Sequence, residues 1–320
     1  MEPTTTSIET REAHELLLRQ ARRFLLFTLA LAVIFHRPLW ELLRYSASSD
    51  IFSYIPLIPC ISGYLVWSRR HELPSRMNGS RRGALVPFAA GAAFLIAYWT
   101  MWRAGWGQDT DRLSLLIPAV LLFFVGGCWQ FFGSGLVRAT GFSLALLVLM
   151  VPLPAFLAEW LARSLQYASA EVSYAMLKMA GEPVFRQGLF FQLPGISLRV
   201  AEECSGIRSS IVLFITSLLA GHLFLSNCRY KTVLALAAIP LGIIRNGFRI
   251  FIIALLCVHV DPAMIDSPLH RRGGPVFFIL SIFFLFFLLV VLRRAERSRV
   301  GGKKIAVPKT GQELAEYQNK

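Results

Sequence analysis

Pro275-Val-Phe-Phe-Ile-Leu-Ser-Ile-Phe-Phe-Leu-Phe-Phe-Leu-Leu-Val-Val-Leu292 runs for eighteen residues without a charge and is closed by Arg293 and Arg294. As a helix rising about 1.5 Å per residue, such a run can cross a hydrocarbon core roughly 30 Å thick. Seven further apolar runs of comparable length precede it, at 24–43, 51–67, 84–102, 113–132, 135–157, 209–225 and 232–260. The first is the weakest, because His36, Arg37, Pro38 and Glu41 interrupt it. The set predicts an all-α polytopic membrane protein with about eight transmembrane helices.

Composition points the same way. Hydrophobic residues make up 55% of the chain, mean hydropathy is +0.55, and 25 of 320 residues are phenylalanine. That is more apolar surface than a soluble domain of this length can hide. A net charge of +14 in a soluble protein would suggest nucleic acid, but here the basic residues gather at the ends of apolar runs, as membrane topology requires. A nucleic-acid groove, which needs a soluble basic face, is excluded.

The connections alternate in charge. The 69–82 loop holds Arg69, Arg70, Arg76, Arg81 and Arg82 against Glu72, the 227–231 turn holds Arg229 and Lys231, and Arg293 and Arg294 open the tail. By the positive-inside rule these are cytoplasmic. The connections 103–112, 154–203 and 260–274 balance their basic residues with Asp and Glu, so they belong outside. This predicts a cytoplasmic segment 1–23 without a signal-peptide cleavage pattern, a transmembrane domain 24–294, and a cytoplasmic, disordered tail 295–320.

The outer insertion 154–204 holds apolar residues at Leu157, Leu161, Leu165, Ala168, Val172, Met176 and Met179, the spacing of an amphipathic helix lying on the membrane surface. From Val184 to Val200, broken by Pro194-Gly195, the pattern predicts a short β-hairpin whose second strand runs on to Cys204.

Cys204 stands in Val200-Ala-Glu-Glu-Cys-Ser-Gly-Ile-Arg208. Of five cysteines, Cys60, Cys128 and Cys257 fall in apolar runs and Cys228 in a cytoplasmic turn; Cys204 alone is in an outer loop. A lone cysteine is ordinarily a small buried hydrophobe. A polar setting at a helix start, where free amides favour the thiolate, points instead to a nucleophile.

Arg245-Asn246-Gly247-Phe248-Arg249 interrupts the 232–260 run, with Arg249 roughly 26 Å along it toward the outside. A charge there must face the protein interior and meet a partner. The structural alternative ties Arg249 to Glu202, Glu203 or a carbonyl; the functional one has it steady negative charge beside Cys204. Asn246, Arg245, Arg208 and Glu203 are candidates for binding substrate.

His270, in the last outer loop, is the candidate general base, although a loop histidine is commonly just solvated. His259, beside Asp261, competes with it, and spacing leaves that choice open. The sequence has no His-Glu-x-x-His, no Gly-x-Ser-x-Gly and no phosphate-cradling loop. Scattered single histidines do not make a metal site, so no cofactor is expected.

Three motifs in order resemble the exosortase/archaeosortase family of membrane cysteine transpeptidases: Ala201-Glu-Glu-Cys-Ser-Gly-Ile-Arg-Ser209, Ile239-Pro-Leu-Gly-Ile-Ile-Arg-Asn-Gly-Phe-Arg-Ile250, and His270 ahead of Gly273-Gly274 and a final apolar run. The resemblance reaches from about Leu39 to Arg294. It places the family's nucleophile on Cys204, its arginine on Arg249 and its third residue, histidine in the bacterial branch, on His270. Where many members carry Tyr-Ser-His-Gly this chain has Phe52-Ser-Tyr-Ile55, which argues against a catalytic first loop.

The resemblance implies clients that are exported proteins ending in a short motif of the Pro-Glu-Pro kind, one membrane span and basic residues. Cleavage would pass through a thioester, in the bacterial inner membrane with the active site outside. A rival from another class is a transporter or lipid-handling protein in which Arg245 and Arg249 line an anion path. A purely structural assembly protein is a third reading, in which neither Cys204 nor His270 matters. Rapid modification of Cys204 by an external thiol reagent favours the enzyme.

Overall fold

The computed structural model describes residues 5–49, 51–74, 79–200, 205–266 and 274–303. The described chain is helical apart from one small sheet: α1 (Thr5–Ile34), α2 (His36–Ser48), α3 (Leu57–Ser68), α4 (Arg81–Arg103), α5 (Asp109–Ala139), α6 (Gly141–Leu146), α7 (Ala155–Met179), strands β1 (Phe185–Gln187), β2 (Phe190–Leu193) and β3 (Ile196–Arg199), then α8 (Ile207–Phe224), α9 (Cys228–His259) and α10 (Gly274–Lys303). It is an all-α polytopic membrane protein with a three-stranded sheet.

Five helices, α4, α5, α8, α9 and α10, are long and apolar enough to cross a membrane, and the number reaches seven if each of two bent pairs is one span. The first bent pair joins α1 to α2 at 71°, where His36 and Pro38 interrupt the apolar run. The second joins 141–150 to α7 at 91°, so the predicted 135–157 run is a broken path rather than one straight helix. The 51–67 run becomes a turn followed by the short α3.

The chain divides into two compact units, Met1–Trp160 and Leu161–Lys320. In the first, phenylalanines bind α1, α4 and α5 together. Phe24 lies 5.0 Å from Phe132 and 5.6 Å from Phe124, and Phe27 reaches Phe88 and Phe131. Phe52 and Ile55 are buried with Leu42 and Ile117 in one apolar cluster. The first loop therefore departs from the family's Tyr-Ser-His-Gly at positions that this chain uses for packing. Asp111 is a clamp: one carboxylate oxygen accepts from the Gln108 amide at 2.9 Å and the other from the Ala155 amide at 2.8 Å, fixing the start of α7.

In the second unit α8, α9 and α10 pack around Leu213, Leu234, Ala238, Leu285 and Leu289. The Glu296 carboxylate accepts from the amides of Ser226 and Asn227 at 3.1 and 2.5 Å, tying α10 to the α8–α9 turn. The predicted hairpin is a three-stranded antiparallel sheet in the order β1-β2-β3. The extra strand arises at Gly188, whose φ of 63° turns the chain before Phe190. The sheet packs Phe191, Leu193 and Leu198 onto Ala170 and Leu177 of α7 and Ile253, Ala254 and Cys257 of α9.

Along α7 the buried positions are Leu165, Gln166, Ser169, Ala170, Ser173 and Leu177, whereas Phe156, Trp160, Tyr167 and Met179 are exposed. Of the predicted apolar stripe, Leu165 is buried, Leu157, Leu161, Ala168, Val172 and Met176 are half-buried, and Met179 is exposed. The buried face mixes Gln166, Ser169 and Ser173 with Leu165 and Leu177, and the exposed face mixes large apolar residues with Glu159, Arg163, Glu171 and Lys178.

Candidate functional site

The Cys204 loop is gripped on both sides. Before it, the Val200 amide donates to the Leu189 carbonyl at 3.0 Å, and the Val200 carbonyl accepts from Gln166 Nε2 of α7 at 2.7 Å. Gln166 is buried to 4% exposure, so this bond has little water competing for it. After the loop, Gly206 takes a left-handed φ of 69° and opens α8. A Cβ at Gly206 would stand 2.8 Å from the Asn246 side chain, so the turn closes directly onto α9.

Arg245 and Asn246 lie beneath that turn, 6% and 2% exposed. Arg245 donates to Ser209 Oγ at 2.6 Å, and Ser209 Oγ donates to the Gly206 carbonyl at 3.0 Å. The Gly206 carbonyl also accepts the first intrahelical bond from the Ser210 amide at 2.9 Å, so the chain of bonds ties the first turn of α8 to α9. Arg245 thus acts as a buttress of the α8 start. Arg249 lies one helical turn farther along α9, about 6 Å on, and is half-buried. Arg208 is exposed at the start of α8.

Gly247 lies next to Asn246 and lets α7 cross α9 closely. A Cβ there would meet Val172 Cβ at 2.7 Å and the Ser169 carbonyl oxygen at 2.9 Å. The fully buried Ser169 and Ser173 hydroxyls of α7 have no hydrogen-bond partner. Asn246 and Gly206 were legible as members of two motifs but not as partners in contact, and Gln166 carried no signal, being one of several polar residues along α7.

His259 is placed away from this seam. Its Nε2 stands 2.5 Å from Glu182 Oε1, and it lies ten residues, about 15 Å, beyond Arg249 on α9. Asp261, the neighbour suggested by sequence, instead accepts from the Ala263 amide at 2.7 Å. Cys204, Glu203 and His270 lie outside the described residues. The described residues hold no cluster of His, Cys, Asp or Glu that could bind a metal.

Replacing Gln166 with Leu strands the Val200 carbonyl and is expected to cost about 1–3 kcal/mol. The check is the melting midpoint of the protein in detergent, which should fall by several degrees; an unchanged midpoint would mean that the bond contributes nothing.

A comparison with known families matches residues 40–287 to the family described as transmembrane exosortase. No curated protein and no solved structure matches the chain. The matched stretch takes in α3 to α9, the gripped loop between β3 and α8, and most of the final apolar run, well over half of the sequence. This chain belongs to the transmembrane exosortase family.

Proposed function

We propose that the protein is a membrane-embedded cysteine transpeptidase that cleaves a C-terminal sorting signal from exported proteins and passes them to an acceptor. Membership of the exosortase family supports the reaction class. The observation that carries the assignment to this loop is that Gln166 and Asn246 hold the chain on either side of Cys204, and that Asn246 comes from the helix bearing Arg249. A nucleophile needs a fixed backbone, and the described residues on either side, Val200 and Gly206, each meet a buried side chain.

In this reading the Cys204 sulfur attacks the scissile carbonyl carbon while its proton passes to His270. Arg249 stabilises the charge on the tetrahedral oxygen. Collapse breaks the C–N bond, and His270 returns the proton to the departing amine of the membrane-anchored tail. The thioester is then attacked by an acceptor amine, or by water, which restores the thiol. Asn246 and Arg245 serve the turn that presents the sulfur; Arg208 and Glu203 flank the substrate.

The active site faces outward from the bacterial inner membrane with both termini cytoplasmic, as the distribution of basic residues supports. Among the tethered groups, Arg245 is committed to Ser209, which favours this reading over an anion path lined by both arginines.

Accessible thiol chemistry tests the proposal. In a variant whose other four cysteines are replaced, a membrane-impermeant maleimide added to spheroplasts should label Cys204 within minutes, and a synthetic client tail should slow the labelling. A site that stays unlabelled until the membrane is opened would defeat the assignment.

A further inference from the structure

Among the described residues the three-stranded sheet has an unpaired edge on β3, the strand that precedes Cys204 in the sequence. The Val200 amide bonds back to Leu189, and β3 pairs with β2 in the register Leu198 to Phe191 and Ile196 to Leu193. In an antiparallel ladder, residues alternate in the direction their amide and carbonyl point. The even-numbered residues of β3 therefore face β2, while the N–H and C=O of Ser197 and Arg199 point away from it. Among the described residues no strand pairs with that side, since β3 is the last strand in the order β1-β2-β3.

The edge is also held rigidly. Leu198 packs into the apolar cluster shared with α7 and α9, Gln166 fixes Val200, and the turn closing β2 to β3 is Pro194-Gly195 with Gly195 at φ 78°. The Ser197 and Arg199 side chains lie on the exposed face, with Arg199 seated over the Phe190 ring at 5.5 Å. An unpaired edge of this kind is a template for another strand. Its β1 counterpart also lies at an edge, but only β3 leads to the nucleophile loop.

The geometry points to β3 as the docking strand for the client: the stretch of the exported protein at its cleavage site adds to the edge as a fourth, extended strand, hydrogen-bonded through Ser197 and Arg199. This rests on the transpeptidase reading above and specifies how the client is held. Main-chain pairing fixes the axis and register of the client while leaving side-chain identity to flanking contacts. It places successive client residues at about 3.4 Å steps toward the loop that bears Cys204.

The test uses the full-length enzyme in native membranes and a reporter ending in a Pro-Glu-Pro-type motif, one apolar span and an arginine cluster. Ser197→Pro removes an outward-facing N–H without touching the bonds to β2, a substitution that an edge strand tolerates. It should lower kcat/KM for the reporter about ten-fold, through KM, with kcat little changed, as expected when uniform binding is lost. The melting midpoint is measured in parallel.

A second measurement does not depend on the folding of any variant. Synthetic client tails N-methylated at one residue at a time should lose turnover at every second position. Wild-type processing by a folded Ser197→Pro enzyme, or a methylation scan without a two-residue period, overturns the proposal, whether the edge is left to water or taken by a second copy of the chain. Cys204→Ala is run beside them. If that variant still processes the reporter, the transpeptidase reading itself fails; if it is inactive while the edge tests come out negative, only the docking strand is lost.

Discussion

Cys204→Ala should abolish release of the reporter's C-terminal tail while the protein remains inserted in the membrane at wild-type levels. The expected loss is at least about 10⁴-fold, because removal of a covalent nucleophile removes the two-step route and leaves only whatever binding and charge stabilisation do for direct attack by water. The substitution is small and close in volume, and its neighbours are fixed independently of the sulfur: Val200 by Gln166, and Gly206 by Asn246. Folding should therefore survive, and the effect should reside in chemistry. Processing is read by gel mobility of the reporter, and trapping of a covalent enzyme–client adduct by the active enzyme but not the variant gives the second readout. Full processing by Cys204→Ala would remove the mechanism. Partial processing at about a tenth of the normal rate would be equally damaging, since no thioester route survives loss of its sulfur.

The helices were legible because the bilayer sets a length requirement that sequence states openly. The charge-free run before Arg293 became α10, and the 232–260 run became the core of α9. What the bilayer does not dictate was harder to read. The apolar stripe read along α7 did not show that Gln166, Ser169 and Ser173 are buried beside Leu165 and Leu177. The third strand was missed because β1 is three residues long, too short for a two-residue alternation to stand out.

Within the site, the order of the motifs around Cys204, Arg249 and His270 carried the family, because each pairs an unusual residue with an unusual place. A cysteine stands in a polar stretch of sequence just before an apolar run, and a cation sits inside an apolar helix. The contacts that hold the loop had no such signature. Gln166 meets Val200 and Asn246 meets Gly206 only after the chain has folded back on itself, and neither spacing follows a helical or strand period. Arg245 and Arg249, alike in sequence, separate in structure: the first is a buried brace on Ser209, the second a half-buried group one turn farther along the helix.

That separation gives the second large effect. Arg249→Lys should reduce kcat for the reporter by about 10²–10³-fold, the loss typical when one donor to a developing oxyanion is withdrawn, with KM little altered. Lysine keeps the positive charge, so attraction for an anionic group survives at long range. It loses the planar fork, which can place two N–H donors toward one oxygen, and an ammonium holds its water more tightly in a partly buried setting. Arg245→Lys is the internal control for the same change of side chain four residues away. Because Arg245 is a buried group bonded to Ser209, that variant should show itself mainly as a lower melting midpoint, with turnover per folded molecule largely kept. Measuring kcat, KM and midpoint for both variants separates the roles. If Arg249→Lys turns over the reporter normally, Arg249 is a structural ion, and the oxyanion must be stabilised by another group, for which the amides at the start of α8 are a candidate.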